Sequence, residues 1–355
     1  MTLALQPNSV ITAIAVLIIV SYFALQMGKA LGPILGLMDH PNWRKIHGIG
    51  VATTGSFALL ASLVLFAFWY LHDANLQIIL IGAGLFYLLG LVDDITPLPA
   101  VFKLVYQIVV AAGISIQTEL GAFTPAFLHT FDTLNSIPMI APLSAIALTI
   151  LVSNSLNLID GHDGVAAGIS VFTILAMVPI FGTDFENQIS IMAIFILVPT
   201  LVFWVQNCGL VGRKLFLGDS GSLSLGYLIS WLIIYQLNQP SAALPSHNNL
   251  SYFLWLVFVP CIDAVAVMLH RVWIDKPIFQ PDRSHLHHLL SNAGIDRIAV
   301  MALLLLLHAA FIGCGWLVTQ YIPQWSFYIL ALTSVAYITT THHFRNRSIM
   351  EQLTG

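Results

Sequence analysis

Residues 298–319 read IAVMALLLLLHAAFIGCGWLVT and contain no charged side chain. A helix of about 20 mostly apolar residues bridges the hydrocarbon core of a bilayer, so this run predicts a membrane-spanning helix. Further runs of the same kind bring the prediction to about eleven spans: 9–28, 51–71, 76–92, 101–117, 137–156, 165–182, 188–206, 222–237, 250–270, 298–319 and 325–341.

The composition of the chain supports the same fold class. Apolar residues make up 58% of the 355 residues, and charged residues only 8%. So few charges cannot cover the surface of a soluble domain. The composition therefore excludes a cytosolic globular enzyme, a disordered protein, a disulfide-rich secreted domain and a nucleic-acid binder with a basic face. We expect an all-α, polytopic integral membrane protein with one transmembrane domain over residues 1–355, surrounded by membrane lipids and with no nucleic-acid partner.

The cations predict the orientation of this domain. Lys and Arg residues near span ends are retained on the cytoplasmic side of a membrane. Each of the twelve falls in an alternate loop, at a span end beside such a loop, or in the C-terminal tail: Lys29, Arg44, Lys45, Lys103, Arg213, Lys214, Arg271, Lys276, Arg283, Arg297, Arg345 and Arg347. We therefore predict an outer N-terminus, a cytoplasmic C-terminus and an odd number of spans.

Asp93 and Asp94 end the third predicted span, where carboxylates are unusual. A charge within a span is unfavourable by about 2–4 kcal/mol, and the helix dipole disfavours anions at a helix C-terminus. Adjacent carboxylates also repel each other, and a divalent cation relieves that repulsion. A helix end closed by polar residues is the alternative. We favour metal binding or acid–base chemistry.

A second polar cluster, NSLNLIDGHDG, covers residues 154–164 at the end of the fifth predicted span. A glycine follows both Asp160 and Asp163, which favours a tight turn that presents two carboxylates and bare backbone N–H groups to a metal or an anion. Asn154 and Asn157 share a helix face by their spacing. An ordinary re-entrant turn is the alternative.

A third cluster, KLFLGDSGS, covers residues 214–222 before the eighth predicted span. Small residues before a helix can form a phosphate seat from backbone N–H groups, and Ser220 or Ser222 can cap that helix. Arg213 and Lys214 add positive charge. Alone the motif is weak, because the same residues are common in turns.

The longest predicted cytoplasmic loop, residues 271–297, contains Arg283, His285, His287 and His288. The histidines lack an accompanying cysteine and the usual spacing of zinc ligands. Imidazoles beside an Arg suit a sugar or a diphosphate better, because neutral His both donates and accepts and charged His pairs with phosphate. A solvated loop is the alternative.

Arg44 and Lys45 follow the first predicted span beside Trp43. These residues either anchor the chain at the cytoplasmic interface or bind the substrate.

Together these motifs resemble the polyprenyl-phosphate N-acetylhexosamine-1-phosphate transferases, glycosyltransferase family 4. The resemblance runs from about Asp39 to Ile295 and is closest to the undecaprenyl-phosphate N-acetylglucosamine-1-phosphate transferase branch. One departure lies at residues 52–56, which read ATTGS where the family commonly has Pro-x-x-Gly-Gly.

The resemblance implies a role for each matched residue. Catalysis falls to Asp93, Asp94, Asp160 and Asp163, and a Mg²⁺ ion, or Mn²⁺ in its place, to Asp219 with Asp93 and Asp94. The resemblance assigns substrate binding to Asn157, His285, His287 and His288. The cations beside these motifs complete the predicted substrate-binding set: Lys214, Arg283, Arg44 and Lys45.

The resemblance also implies a reaction and a place. A UDP-N-acetylhexosamine would give its sugar 1-phosphate to undecaprenyl phosphate and release UMP. The enzyme would begin a cell-envelope polysaccharide, such as the O-antigen of lipopolysaccharide, on the cytoplasmic face of the bacterial inner membrane, and a homodimer is possible.

An ion-coupled transporter is the rival interpretation. Transporters place carboxylates near the membrane midplane on broken helices. Only Asp263 lies well inside a predicted span, where it serves either the same site or a helix–helix bond.

Overall fold

The computed structural model describes residues 7–39, 50–70, 73–118, 140–181, 187–238, 249–278 and 284–354. Over these residues the chain is almost entirely helical, which confirms the predicted all-α class. Its α-helices are α1 Pro7–Leu35, α2 Ser56–Tyr70, α3 Ala74–Ile95, α4 Ala100–Gln117, α5 Ile140–Ile159, α6 Val165–Phe181, α7 Gln188–Asn207, α8 Gly218–Leu237, α9 Asn249–Leu256, α10 Phe258–Trp273, α11 Leu286–Asn292, α12 Arg297–Tyr321 and α13 Ser326–Thr354.

Three short elements complete the description. Strands β1 (Met38–Asp39) and β2 (Val51–Ala52) pair in antiparallel fashion, with Met38 opposite Ala52. A 3₁₀ turn, Pro323–Trp325, separates α12 from α13. These elements connect helices and add little to the core.

Every predicted span overlaps a helix or, for 250–270, a pair of helices. Six helices of the described chain are long and apolar enough to cross a membrane, and seven spans result if the bent pair α9 and α10 counts as one. Helices α2 and α6 are apolar but shorter. The count of eleven and the orientation of the termini therefore stay predictions.

The structure adds three local details that the sequence did not predict. The predicted span 250–270 is broken at Val257 and bent by 77°. Within the predicted loop 271–297, residues Leu286–Asn292 form the short helix α11. The predicted C-terminal tail forms the last part of α13, so Arg345 lies on a helix. Only 1% of the surface of Arg345 is exposed.

The helices form two compact units, Met1–Ser241 and Ala242–Gly355. Helix α8 is the core of the first unit, and every residue from Ser220 to Ile234 is buried. A helix that is apolar on all sides is stable only when other helices surround it. Helices α3 and α5 provide the most extensive packing around α8.

Glycines allow α8 to approach both neighbours closely. A methyl group at Gly90 of α3 would overlap the backbone of Asp219 and Ser220, and one at Gly226 would overlap the backbone of Ser153 on α5. Small residues at such crossings let helix backbones come together. The close crossing at Gly90 brings the C-terminal turn of α3 to the N-terminus of α8.

The core of the second unit is built on α9 and α10. Trp255, Phe258, Val259 and Ile262 form a buried cluster. Phe311 packs on Trp255 and Phe258, with ring centroids 5.9 and 4.6 Å apart. Helix α11 packs against α12 and α13.

We predict that Gly90→Ala lowers the stability of the protein by about 1–3 kcal/mol, because the added methyl group forces α3 and α8 apart. Gly84→Ala is the matched control: nothing lies within 4 Å of a methyl group at that position of the same helix. The measurement is the thermal unfolding temperature in detergent. Equal unfolding temperatures for the two variants would contradict the close crossing.

Candidate active site

The structure brings together five aspartates from separate parts of the sequence. Asp93 and Asp94 lie in the last turn of α3, Asp160 follows α5, Asp163 precedes α6, and Asp219 lies in the first turn of α8. Asp160 interacts electrostatically with Asp219, Asp94 and Asp163, and the carboxyl groups of Asp93 and Asp219 lie within hydrogen-bonding range of each other. All five therefore share one end of the first unit.

Asp94 caps helix α8 from the neighbouring helix α3. Its carboxylate accepts hydrogen bonds from the backbone N–H groups of Asp219 (2.8 Å) and Ser220 (3.0 Å) and from the Ser220 hydroxyl (2.8 Å). The first N–H groups of a helix have no partner within it and attract an anion. Here the anion is a side chain of the protein.

This cap contradicts the predicted phosphate seat at the start of α8. The N–H groups of Asp219 and Ser220 are taken by Asp94, and neither predicted serine cap forms: the Ser222 hydroxyl donates to the carbonyl of Gly218 at 3.0 Å. The motif predicted an anion at this helix end, but could not reveal that Asp94, far away in sequence, supplies it.

Gly218 makes room for the cap. Its φ is +77°, a conformation that glycine adopts readily. A methyl group there would lie 2.7 Å from a carboxylate oxygen of Asp94 and 2.8 Å from the carbonyl oxygen of Thr53. Both the turn and the close approach therefore require glycine.

Asp93 points to a different helix. Its carboxylate accepts from Lys103 Nζ and from the backbone N–H of Leu98, each at 2.6 Å, while Lys103 Nζ also lies 3.4 Å from Asp219. Helix α3 continues to Ile95, so the two adjacent carboxylates diverge without fraying of the helix. Lys103 therefore joins Asp93 to Asp219.

Sequence reasoning used Lys103 only to predict orientation. A signal was present, since it is the only charged residue of the apolar helix α4. The role of Lys103 follows from the packing of α4 beside α3 and α8, and the sequence does not reveal that packing.

The turn that contains Asp160 and Asp163 is fixed by Asn207, at the end of α7. The N–H of Gly164 donates to Asn207 Oδ1 at 2.5 Å, and Asn207 Nδ2 donates to the carbonyl of Leu215 at 2.7 Å. Asn207 is 5% exposed. This buried amide, which sequence reasoning missed, ties the turn to the segment that leads into α8.

Lys214 and Asn157 also contact the cluster. Lys214 Nζ lies 2.6 Å from Asp163 Oδ2, and Asn157 Nδ2 donates to the Ser222 hydroxyl at 3.0 Å. Asn154 instead exchanges two hydrogen bonds with Gln107 of α4. The two asparagines therefore bind different neighbours.

The departure at residues 52–56 keeps one essential glycine. The N–H of Gly55 donates to the carbonyl of Phe216 at 2.9 Å, and the N–H of Phe216 donates to the carbonyl of Ala52 at the same distance. A methyl group at Gly55 would overlap the ring of Phe203. The lost proline and second glycine leave this pairing beside α8 intact.

The cluster concentrates negative charge. Burial raises the pKa of Asp160 well above its ordinary value, and the nearby carboxylates of Asp219, Asp94 and Asp163 raise that pKa further. A carboxylate in such surroundings is more easily ionised when a cation is near.

The donor set suits a hard cation that shares its ligands with a substrate. Among the described residues, no three His, Cys, Asp or Glu side chains form a complete metal-binding group. Mg²⁺ often takes only one or two carboxylates and completes its shell with substrate phosphates and water. The neighbouring carboxylates of Asp93 and Asp219 meet that requirement.

The predicted histidines lie in the second unit. His285 precedes α11, and His287 and His288 lie in its first turn. The rings of His285 and His287 are nearly parallel, with centroids 5.8 Å apart, and those of His287 and His288 are 4.1 Å apart. Arg44, Lys45 and Arg283 lie outside the described residues.

This sequence is similar to those of known proteins. Residues 76–236 match the family model described as glycosyl transferase family 4. The undecaprenyl-phosphate alpha-N-acetylglucosaminyl 1-phosphate transferase of Salmonella typhi is 26% identical over 91% of this chain and 89% of its own length. The protein of that name from Yersinia pestis is 28% identical over 86% of this chain and 83% of its own.

A third relative of comparable identity comes from Bacillus subtilis. The probable undecaprenyl-phosphate N-acetylglucosaminyl 1-phosphate transferase of Bacillus subtilis is 29% identical over 78% of this chain and 76% of its own length. The matched region 76–236 contains all five aspartates, Lys103 and Asn207. The resemblance to glycosyl transferase family 4 that the motifs predicted is therefore confirmed by the family model and by these relatives.

Proposed function

We propose that the protein transfers N-acetylglucosamine 1-phosphate from UDP-N-acetylglucosamine to undecaprenyl phosphate. The observation that carries the proposal is the convergence of Asp93, Asp160 and Asp219 with Lys103 at one end of the first unit. Carboxylates for a cation and an ammonium group for phosphate are what transfer of a phosphosugar requires. The names of the relatives support this donor sugar and this acceptor lipid.

The reaction is a displacement at phosphorus. An oxygen of the lipid phosphate attacks the phosphorus that carries the sugar, a new P–O bond forms, and the P–O bond to UMP breaks. A phosphate monoester has a second pKa of about 6, so the acceptor is largely ionised at neutral pH without a dedicated base. A bound Mg²⁺ or Mn²⁺, held by Asp219 and Asp93, would neutralise charge on the diphosphate.

The residues then divide into two roles. Asp94 makes three hydrogen bonds to the start of α8, so we assign it to holding Asp219 in place rather than to accepting a proton. Lys103 and Lys214 are paired with carboxylates, and their ammonium groups can exchange those partners for substrate phosphates. Asp160 and Asp163 flank the same site.

We place the reaction at the cytoplasmic face of the bacterial inner membrane, as the first step of a cell-envelope polysaccharide. The acceptor is a membrane lipid, and the positive-inside pattern puts the cluster on the side where nucleotide sugars are made. The proposed homodimer has no support. A different UDP-N-acetylhexosamine is compatible with the same chemistry.

The position of the carboxylates argues against a transporter. The cluster lies at the ends of α3, α5 and α8 rather than at their middles, where transporters bind their ions. The buried carboxylate of the second unit, Asp263, is already paired with Arg345 at 3.1 Å. Neither arrangement suits a midplane ion site.

We predict that Asp219→Asn lowers turnover by about 10²–10³-fold or more, because it removes a charged ligand from the diphosphate site. The assay is release of UMP from UDP-N-acetylglucosamine by purified protein, which we expect only when both undecaprenyl phosphate and Mg²⁺ are present. The matched control is Asp73→Asn, since Asp73 caps the opposite end of α3 and Asn caps helices equally well. Full activity of Asp219→Asn in folded protein would remove this residue from the site.

We predict that Lys103→Gln lowers kcat/KM for the UDP-sugar by about 10²-fold, because it removes the ammonium group between Asp93 and Asp219. Lys29→Gln is the control: Lys29 lies on α1 and contacts Gln26 of its own helix at 3.5 Å. Steady-state kinetics at varied donor concentration measure the effect. Equal values for the two variants would show that Lys103 has only a structural role.

A further inference from the structure

Asp263 of α10 is a buried carboxylate that the proposed reaction does not use. It is 2% exposed, and its two oxygens accept hydrogen bonds from His285 Nδ1 (2.8 Å), Arg345 Nη2 (3.1 Å), the Tyr337 hydroxyl (3.2 Å) and the N–H of Leu286 (3.3 Å). Three parts of the second unit therefore meet at one side chain: α10, α13 and the start of α11.

Arg345 extends this network to the backbone. Its Nε donates to the carbonyl of Ser284 at 2.8 Å, and its Nη1 donates to the Thr341 hydroxyl at 2.9 Å. The guanidinium group thus neutralises Asp263 and at the same time holds the residue directly before His285. A bond that served only to join α10 to α13 would not need the contact to Ser284.

The contact to Asp263 determines the state of the His285 ring. An ionised carboxylate only accepts hydrogen bonds, so Nδ1 of His285 carries the hydrogen and Nε2 is left as the second polar atom of the ring. Carboxylates that fix a histidine in this way set both its tautomer and its orientation. The histidine is 5% exposed, which limits other ring positions.

The order imposed on His285 extends to the other two imidazoles. Its ring is nearly parallel to that of His287, at an interplanar angle of 12°, and His287 in turn packs on His288. The N–H of Leu286, which also points to Asp263, fixes the first residue of the helix that carries both rings.

We propose that Asp263, together with Arg345, is the positioning residue of the histidine motif, and that it holds His285, His287 and His288 in the arrangement that recognises the UDP-sugar. This inference rests on the proposed function and adds to it a role for α10 and for the C-terminal helix α13. Neither residue is required to touch the substrate.

Two variants test the inference against a matched control. Asp263→Asn removes the charge that orients His285, whereas Asp296→Asn makes the same change at the exposed cap of α12, where Asn serves equally well. We expect Asp263→Asn to raise KM for the UDP-sugar by about 10-fold or more and to leave KM for undecaprenyl phosphate within about twofold of wild type. Asp296→Asn should change neither constant.

The double variant Asp263→Leu/Arg345→Met separates positioning from stability. Replacing both members of a buried ion pair with apolar residues is often neutral for stability, so the thermal unfolding temperature should stay near that of wild type. We expect the donor KM to stay raised by about 10-fold, because His285 still lacks its carboxylate. A donor KM that returns to the wild-type value, or an equal rise in both KM values, would overturn the inference.

A spectroscopic measurement separates this inference from the proposed function. If the wild-type protein releases no UMP, the proposed function fails, and the state of His285 can still be measured by ¹⁵N NMR of the full-length protein in bilayers, with His285→Gln to assign its signals. We expect the hydrogen on Nδ1 in wild type and in Asp296→Asn, and on Nε2 in the double variant. An unchanged tautomer in the double variant would contradict a positioning role for Asp263.

Discussion

The site of the first unit depends on one interaction: the carboxylate of Asp94 at the N-terminus of α8. Three hydrogen bonds join this carboxylate to Asp219 and Ser220 and hold the end of α3 against the start of α8. Gly90 permits the close crossing, and Gly218 leaves space for the carboxylate. The helix end satisfies its N–H groups, and Asp219 is placed beside Asp93 and Lys103.

The same arrangement leaves an excess of negative charge. Lys103 and Lys214 each neutralise one carboxylate, and the half-buried Asp160 lies among the others. Carboxylates that lie this close together repel each other and destabilise the folded state unless a proton or a cation is bound. The repulsion among the carboxylates is relieved when a cation binds together with a diphosphate. The site therefore suits a substrate that arrives with its metal ion.

The sequence predicted what depends on local pattern and missed what depends on contacts between distant residues. Apolar runs located every long helix, because a lipid-facing helix needs about 20 apolar residues. The break at Val257 was missed although Pro260 marks it: a proline removes the hydrogen bond to the carbonyl four residues earlier and disrupts the helix there. The helical tail around Arg345 was missed because its residues are polar. The grouping of the aspartates followed from the alternation of predicted spans, but the capping role of Asp94, the bridge through Lys103 and the buried amide of Asn207 required packed helices.

The most direct test of the central claim is pulsed electron paramagnetic resonance of Mn²⁺ added to the purified protein with UDP-N-acetylglucosamine. If the carboxylates at the start of α8 hold a cation against the nucleotide diphosphate, the Mn²⁺ signal will be that of a protein-bound ion coupled to ³¹P, and Asp219→Asn will abolish that bound signal. A signal identical to that of Mn²⁺ and UDP-N-acetylglucosamine without protein would contradict the account.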